Sequence, residues 1–304
     1  MKQKEKVLKS EIKTYSAEFK VNNKQALLEF LLMKMNDKSR NTVKNLLKNH
    51  HVLVDGVVTT QFDQLLVPKQ LVQISKQSMR KGRNSGLKTP FDILYEDEDF
   101  IAINKPSGLL SIATEREKEK TAYHFLMNYV RKENPKNQIF ILHRLDRDTS
   151  GIMLFAKNLQ VRDLLQKKWN ELVSKRIYFA VVNGTLVSKE GTLKNYLAET
   201  STHVVFVSKG KQGREAITHY RVLKEKGPYS LLELSLASGR KNQIRVQLQH
   251  LGHPVVGDEK YGAGQSPFKR LGLHASVLEL THPLNRKKLR FEVPLPLEFK
   301  KLFK

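Results

Sequence analysis

The chain has 304 residues, of which 54 are Lys or Arg and 30 Asp or Glu, giving a formal net charge of +24, and it contains no cysteine. Disulfides, thiolate metal sites and a thiol nucleophile are therefore excluded, a composition that fits a reducing compartment. The 39% apolar share is compatible with a packed core, the length allows one large domain plus a small one, and the cationic excess points to a polyphosphate partner whose affinity falls as salt rises.

The excess is densest at the N-terminus, where Lys and Arg outnumber Asp and Glu by 18 to 7 over residues 1–90, against 36 to 23 over the remaining 214. Lys2, Lys4, Lys6, Lys9 and Lys13 alternate with single apolar residues, unlike a signal peptide, and the apolar runs are too short to span a bilayer. A cytoplasmic protein with no membrane partner is expected. Leu27, Leu28, Leu31, Leu32 and Met35 predict a helix over 24–36. A second helix is expected after Ser39 as N-cap, with Val43, Leu46 and Leu47 on its apolar face. Arg40, Lys44 and Lys48, four residues apart, form a basic stripe on its other face and are candidate RNA contacts. His51 to Val54, the turn Asp55-Gly56 and Val57 to Thr59 predict a hairpin, and a late strand follows at 71–74. This order is similar to the alpha-L RNA-binding motif found in a small-subunit ribosomal protein. Residues 76–90 are polar, basic and without apolar period, as a flexible linker would be. The expected division is thus 1–75 as N-terminal extension and RNA-binding domain, 76–90 as linker, and 91–304 as the main domain.

Beyond residue 91 short strands dominate, at 100–103, 139–142, 152–156, 177–182, 204–207, 217–223, 232–236, 273–280 and 289–293. Helices are expected at 121–131, at 158–173 with Asn158 as N-cap, and at 242–251 ending at Gly252. The irregular order predicts an α+β domain built on a large, mostly antiparallel mixed sheet, preceded by a small α+β domain.

Between two of these apolar strands lies His143-Arg144-Leu145-Asp146-Arg147-Asp148-Thr149-Ser150-Gly151, with Asp-Thr-Ser-Gly expected to form the turn. Carboxylates beside guanidiniums favour their charged form, and only an ionised carboxylate attacks as a nucleophile, which makes Asp146 the first catalytic candidate. Taken alone, the spacing favours solvated ion pairs in a turn. Asp146-Arg147-Asp148-Thr149 also fits the D-x-D-x-T string of haloacid dehalogenase-like phosphotransferases, but no further acidic pair for their magnesium follows, only Asp258-Glu259.

The whole nonapeptide resembles the HRLD-x-x-TSG signature of RluA-type pseudouridine synthases. Other segments of that family follow its order: Asn104-Lys105-Pro106-Ser107-Gly108-Leu109, Lys175-Arg176-Ile177-Tyr178, Ser238-Gly239-Arg240-Lys241-Asn242-Gln243-Ile244-Arg245-Val246, His253-Pro254-Val255-Val256-Gly257-Asp258, and Leu273-His274-Ala275. The resemblance implies a sheet crossed by an active cleft, Asp146 as the catalytic carboxylate, Tyr178 against the uracil ring, Arg245 paired with Asp146, and Leu273 at the pocket wall. A uridine within folded RNA must be extruded, and Arg144 is the candidate to fill the vacated space. Arg240, Lys241 and Lys105 are candidate phosphate contacts. The chain departs from many relatives at Ser238, Lys241, Asn242 and Gln247, which puts target choice rather than activity in question.

The reaction implied is isomerisation of uridine to pseudouridine, which involves no redox step, so neither metal nor organic cofactor is expected. His250, His253, His274 and His282 lack a ligand set and are read as structural. The expected partner is RNA, ribosomal RNA of the large subunit before transfer RNA, with the protein acting as a monomer and without an obligate protein partner. A non-catalytic RNA-binding or ribosome-assembly protein is the alternative, and the phosphotransferase ranks last. Asp146, Tyr178 and Arg245 occurring together favour the enzyme.

Overall fold

In the first unit, helices form where apolar side chains recur on one face, and the strands cover that face. The computed structural model describes residues 15–49, 51–55, 57–75, 89–262 and 266–304. The lysines before residue 15, Gly56 of the hairpin turn and residues 76–88 of the expected linker lie outside these. Contacts divide the chain into two units, the first essentially 1–84 and the second running from 85 to the C-terminus apart from 95–97.

The first unit contains β1 (Tyr15–Lys20), β2 (Gln25–Ala26), α1 (Leu27–Lys34), α2 (Arg40–Lys48), β3 (Val52–Val54), β4 (Val57–Val58), β5 (Leu65–Leu66) and β6 (Leu71–Ser75). Its main sheet has the order β1-β6-β3-β4. Leu27 and Leu31 of α1, and Val43 and Leu47 of α2, bury themselves against Val52, Val72 and Ile74. The Ser39 side chain accepts from the Thr42 amide at 3.2 Å and so caps α2. Helix α1 is shorter than its apolar period, because Gln25 and Ala26 pair with Leu66 and Leu65 instead.

The second unit comprises β7 (Asp92–Glu96), β8 (Phe100–Lys105), α3 (Ala122–Glu133), β9 (Phe140–Ile141), β10 (Ser150–Ala156), α4 (Leu159–Lys167), α5 (Trp169–Leu172), β11 (Val173–Asn183), β12 (Glu190–Glu199), β13 (Val205–Val207), β14 (Arg214–Lys226), β15 (Tyr229–Leu236), α6 (Gln243–His250), β16 (Leu273–Thr281), β17 (Lys288–Glu292) and α7 (Leu297–Leu302). The strand order is β13-β12-β14-β15-β11-β16-β10-β8-β7, with β17 beside β16 and β9 beside β10. Among the described residues the ladders of this sheet are antiparallel except the one joining β10 to β16, so the domain is the expected α+β fold on a mixed sheet. The predicted helix over 158–173 breaks at Lys168, whose φ of −112° and ψ of 28° lie outside helical values, and the chain enters β11 at Val173. Leu165, Trp169 and Leu172 keep one helical spacing across the break, which is why the period alone reads as a single helix. Among the described residues no helix is long and apolar enough to cross a membrane.

Three neighbouring strands near the middle of the sheet position the site. On β10 and β16, Ser150 pairs with His274 and Gly151 with Ala275. On β11 and β16, Tyr178 pairs with Ala275 and Ala180 with Leu273, and the register shifts between Ile177 and Tyr178. Such a shift re-aims the side chain that follows it. Ser150 and Gly151 therefore belong to β10, and the turn that the sequence placed over four residues is confined to Arg147 and Asp148. Gly151 has φ 118°, and a Cβ there would lie 2.0 Å from the Ala275 carbonyl oxygen, so close strand approach requires glycine.

Candidate active site

The loop from His143 to Asp148 is clamped by the segment that follows β8. The Ser111 hydroxyl donates to the Leu145 carbonyl at 2.6 Å and accepts from its amide at 3.2 Å. Ser107 donates to the Asp148 carbonyl at 2.6 Å, and the Gly108 amide to the Arg147 carbonyl at 3.0 Å. Leu145 itself is buried in the apolar cluster of Ile103, Leu126, Met153 and Phe155. Asp146 is thus carried by a backbone fixed on both sides.

Lys105 corrects the sequence reading. It is completely buried, and its ammonium donates to the carbonyls of Pro106, Leu109 and Arg147 at 2.9, 2.7 and 2.9 Å. Three N–H bonds meet three carbonyls, which leaves no donor for a phosphate. Burial pulls its pKa down to about 7, against the charges of Asp148 and Asp146. Lys105 is a loop clamp, not an RNA contact.

Asp146 is joined to Arg245 as the resemblance implied, with Arg245 Nη1 donating to Asp146 Oδ2 at 3.1 Å. Arg245 lies on α6, whose Ile244, Val246 and Leu248 are buried, and it is itself only 8% exposed. Its fixed geometry comes from Asp258: Nε and Nη2 donate to the two Asp258 oxygens, both at 2.7 Å. Asp258 in turn accepts from the Lys260 and Tyr261 amides at 3.1 and 3.0 Å. Burial works against the Arg245 charge, but Asp258 and then Asp146 overcome it and raise the pKa. The Tyr261 ring covers the guanidinium at 5.1 Å.

Asn242 completes this cluster. It precedes α6 with φ 53°, a left-handed conformation that Asn tolerates. The Tyr261 hydroxyl accepts from the Val205 amide at 3.2 Å, which leaves its proton to donate to the Asn242 oxygen at 2.9 Å. The Asn242 nitrogen then lies 3.2 Å from both Asp146 oxygens and donates to them. Neither Asp258 nor Asn242 was singled out from the sequence as a site residue. A buried aspartate behind an invariably charged guanidinium is the signal for Asp258, but the pairing spans α6 and the following turn and shows no period.

A pocket of about 70 Å³ opens beside Asp146, lined among others by Arg144, Tyr178, Arg240, Asn242, Arg245 and Leu273. The structure thus brings together Arg144, Asp146, Tyr178, Arg240, Arg245 and Leu273 of the residues read from sequence. Tyr178 packs where two apolar clusters meet, one with Leu145 and Met153, the other with Ile244 and Leu273. Burial pushes its phenol up to about 12, with Arg176 opposing and Asp146 adding, so it remains a protonated donor. Arg144 and Arg240 are exposed. Lys241 is ion-paired with Glu199. Arg40, Lys44 and Lys48 are exposed on α2 in the first unit. The arrangement offers a carboxylate held by two kinds of donor, facing a small pocket with one phenol and one apolar wall.

The RNA pseudouridylate synthase family profile matches residues 99–250. An uncharacterised RNA pseudouridine synthase of Bacillus subtilis is 31% identical over 261 residues, covering 84% of this chain and 82% of the relative. The ribosomal large subunit pseudouridine synthase D of Escherichia coli K12 is 30% identical over 280 residues, covering 88% and 86%. Among solved structures, human RNA pseudouridylate synthase domain containing 1 superposes with a TM-score of 0.54 at 25% identity, covering 67% of this chain and 83% of that one.

Proposed function

Since the chain belongs to the RluA-type RNA pseudouridylate synthase family and is an isomerase that converts uridine to pseudouridine in RNA, we propose that Asp146 is its nucleophile and structured large-subunit ribosomal RNA its substrate. The observation that carries the nucleophile is the seating of Asp146: Arg245 and Asn242 hold the carboxylate at the edge of the pocket that Tyr178 and Leu273 line. In the reaction the bond between uracil N1 and ribose C1′ breaks, the base turns, and C5 joins C1′. The proton on C5 leaves to solvent and N1 gains one. An Asp146 oxygen bonds transiently to the substrate while the glycosidic bond is broken and is displaced when the carbon–carbon bond forms. Tyr178 packs against the uracil and its neutral phenol donates a hydrogen bond, while the Leu273 wall limits water around the detached base.

Support for ribosomal RNA comes from the Escherichia coli relative, whose name places it on the large ribosomal subunit. It comes also from the exposed stripe of Arg40, Lys44 and Lys48 in a first unit read as an alpha-L RNA-binding domain. In this reading the protein works as a cytoplasmic monomer.

Release of tritium from C5 of uridine-labelled RNA, prepared from cells lacking the gene, tests the proposal with EDTA present. Wild type releases tritium and Asp146→Asn, which keeps the side-chain size without the charge, falls by at least about a thousandfold, as when a covalent nucleophile is removed. Full activity of Asp146→Asn would sink the nucleophile. Tritium release confined to transfer RNA would move the substrate.

A further inference from the structure

A second cleft adjoins the uridine pocket and shares Arg144, Asp146, Tyr178, Leu236, Arg240 and Asn242 with it. Its volume is about 840 Å³, far more than the pocket beside Asp146. Part of its wall is Trp169, the single tryptophan of the chain. Trp169 is half-buried at the start of α5, and its ring lies 5.5 Å from that of His143. The Leu154 amide donates to His143 Nε2 at 3.1 Å, so the imidazole carries its proton on Nδ1 and is neutral. Burial, and then the charge of Arg176, push its pKa down to about 4.

The rest of the wall is cationic. Arg144, Arg176, Arg214, Arg240 and Lys241 line it against two carboxylates, Asp146 and Glu199. Those two are already held by Arg245 and Lys241. Among the described residues, none of the four cleft arginines has a carboxylate within ion-pair distance. Arg176 is half-buried and is anchored by backbone alone, with Nη2 donating to the Leu236 carbonyl at 3.2 Å. A Cβ at Gly239 would lie 2.7 Å from Arg176 Nη1, so glycine there lets the backbone close on the guanidinium. Arg240 Nε likewise donates to a carbonyl, that of Glu215, at 3.0 Å. Burial lowers the Arg176 pKa, and Arg240 lowers it further against Tyr178. A guanidinium withdrawn from water without a counterion is costly, and an anion supplied by a ligand removes the cost.

We propose that this cleft is a second nucleotide subsite, in which a base neighbouring the target uridine stacks on Trp169 while its phosphate is bound by Arg176 and Arg240. Rings stack on any base and guanidiniums bind any phosphate, so the subsite takes RNA through base plane and backbone rather than base edges. It rests on the reading of the adjoining pocket as the uridine site.

Because Trp169 is the sole tryptophan, its emission reports this cleft without any substitution. The probe is a short single-stranded oligouridylate, titrated into the full-length wild-type protein beside a filter-binding measurement of the same complex. The oligomer quenches the emission with the midpoint that filter binding gives, whereas inorganic phosphate at equal concentration does not. Trp169→Ala and Arg176→Gln each weaken oligomer binding about tenfold, and in tritium release from the labelled RNA they raise KM more than they lower kcat. Trp169→Phe, which keeps a ring, recovers most of the binding lost by Trp169→Ala. Unchanged emission at saturating oligomer, together with tritium release by wild type, would overturn the subsite and leave the isomerase reading standing. Equal quenching by inorganic phosphate would reduce the cleft to an anion site and overturn the nucleotide. Quenching by oligomer without tritium release from any RNA would support the subsite and remove the nucleophile proposal.

Discussion

Arg245 lines the pocket beside Asp146 and Arg176 lines the cleft adjoining it, and the two are completed in opposite ways. Arg245 is buried with two carboxylates, Asp258 and Asp146, and the Tyr261 ring over it. Arg176 is half-buried with its guanidinium on the Leu236 carbonyl, and among the described residues neither it nor Arg214 or Arg240 of the same cleft has a carboxylate within ion-pair distance. The first arrangement is finished by folding, because every charge needed to hold Asp146 is in the chain. The second is finished only by RNA. A cation matched within the fold positions other groups, and a cation left unmatched in a cleft marks where an anionic ligand goes.

The sharpest way to break this contrast is Asp258→Asn. Arg245 would lose its bidentate partner and keep a buried charge, and opening a buried pair from one side costs about 3–5 kcal/mol. A thermal melt should fall accordingly, and kcat for tritium release should drop at least about a hundredfold, since Arg245 would no longer be aimed at Asp146. A variant that melts like wild type and turns over normally would mean that Asp146 and Asn242 alone hold the site. The same substitution logic applied to Arg176 gives the reverse expectation, a folded protein that is no less stable and binds RNA less well.

Acid provides a smaller effect that sharpens the comparison. His143 is pushed down to about 4 by burial and the Arg176 charge, and His274 to about 4 by burial and the Arg270 charge. In the folded protein both imidazoles stay neutral until the pH approaches 4, whereas in the unfolded chain they take up protons near their ordinary value of about 6.5. Between those limits the unfolded state binds more protons, so the two imidazoles add no pH dependence above about pH 6.5 and their contribution falls as pH drops through the window. The slope is at most about 1.4 kcal/mol per pH unit for each group. Melting temperatures of the wild type and of His274→Gln, measured between these limits, check it, and a wild-type profile flat down to pH 4.5 would refute the assignment. Protonating His143 places a new charge beside Arg176, so RNA is expected to raise the acid stability by binding the cations the fold leaves unmatched.

How much of this was readable in the sequence depends on distance along the chain. The loop from His143 to Gly151 is contiguous, and the strands bearing Tyr178 and Leu273 alternate or run apolar, so Asp146, Tyr178, Leu273 and Arg245 came out of order and pattern together with the family likeness. Asp258, Asn242 and Trp169 came out of neither, because their roles arise from pairings across folded segments. Lys105 was misread because a lysine in a Pro- and Gly-containing segment is solvated by default, and only the three converging carbonyls justify its burial. Strand β12 is not legible in the sequence, since EGTLKNYLAE is rich in residues of low strand propensity and is held by pairing to β14. The single long helix expected before β11 broke because the helical period does not report where the sheet must begin.

The smallest effect separates the two exposed cationic surfaces, the cleft around Arg240 and the stripe of Lys44 on α2. Both side chains are exposed, so Arg240→Gln and Lys44→Gln should each leave stability within about 0.5 kcal/mol of wild type. If each contacts one phosphate, each should lower the slope of log affinity against log salt by about one. Their kinetics should differ. Lys44 belongs to the first unit, which carries none of the pocket residues, and its loss weakens RNA binding alike for every sequence, raising KM with kcat unchanged. Arg240 lines both the uridine pocket and the adjoining cleft, so its loss also lets the target nucleotide sit less accurately against Asp146, and kcat falls with affinity. Salt titration and turnover of the two variants on the same labelled RNA decide this. Equal kcat in both would group Arg240 with the attachment surface of α2 and confine the catalytic neighbourhood to the residues that folding alone completes.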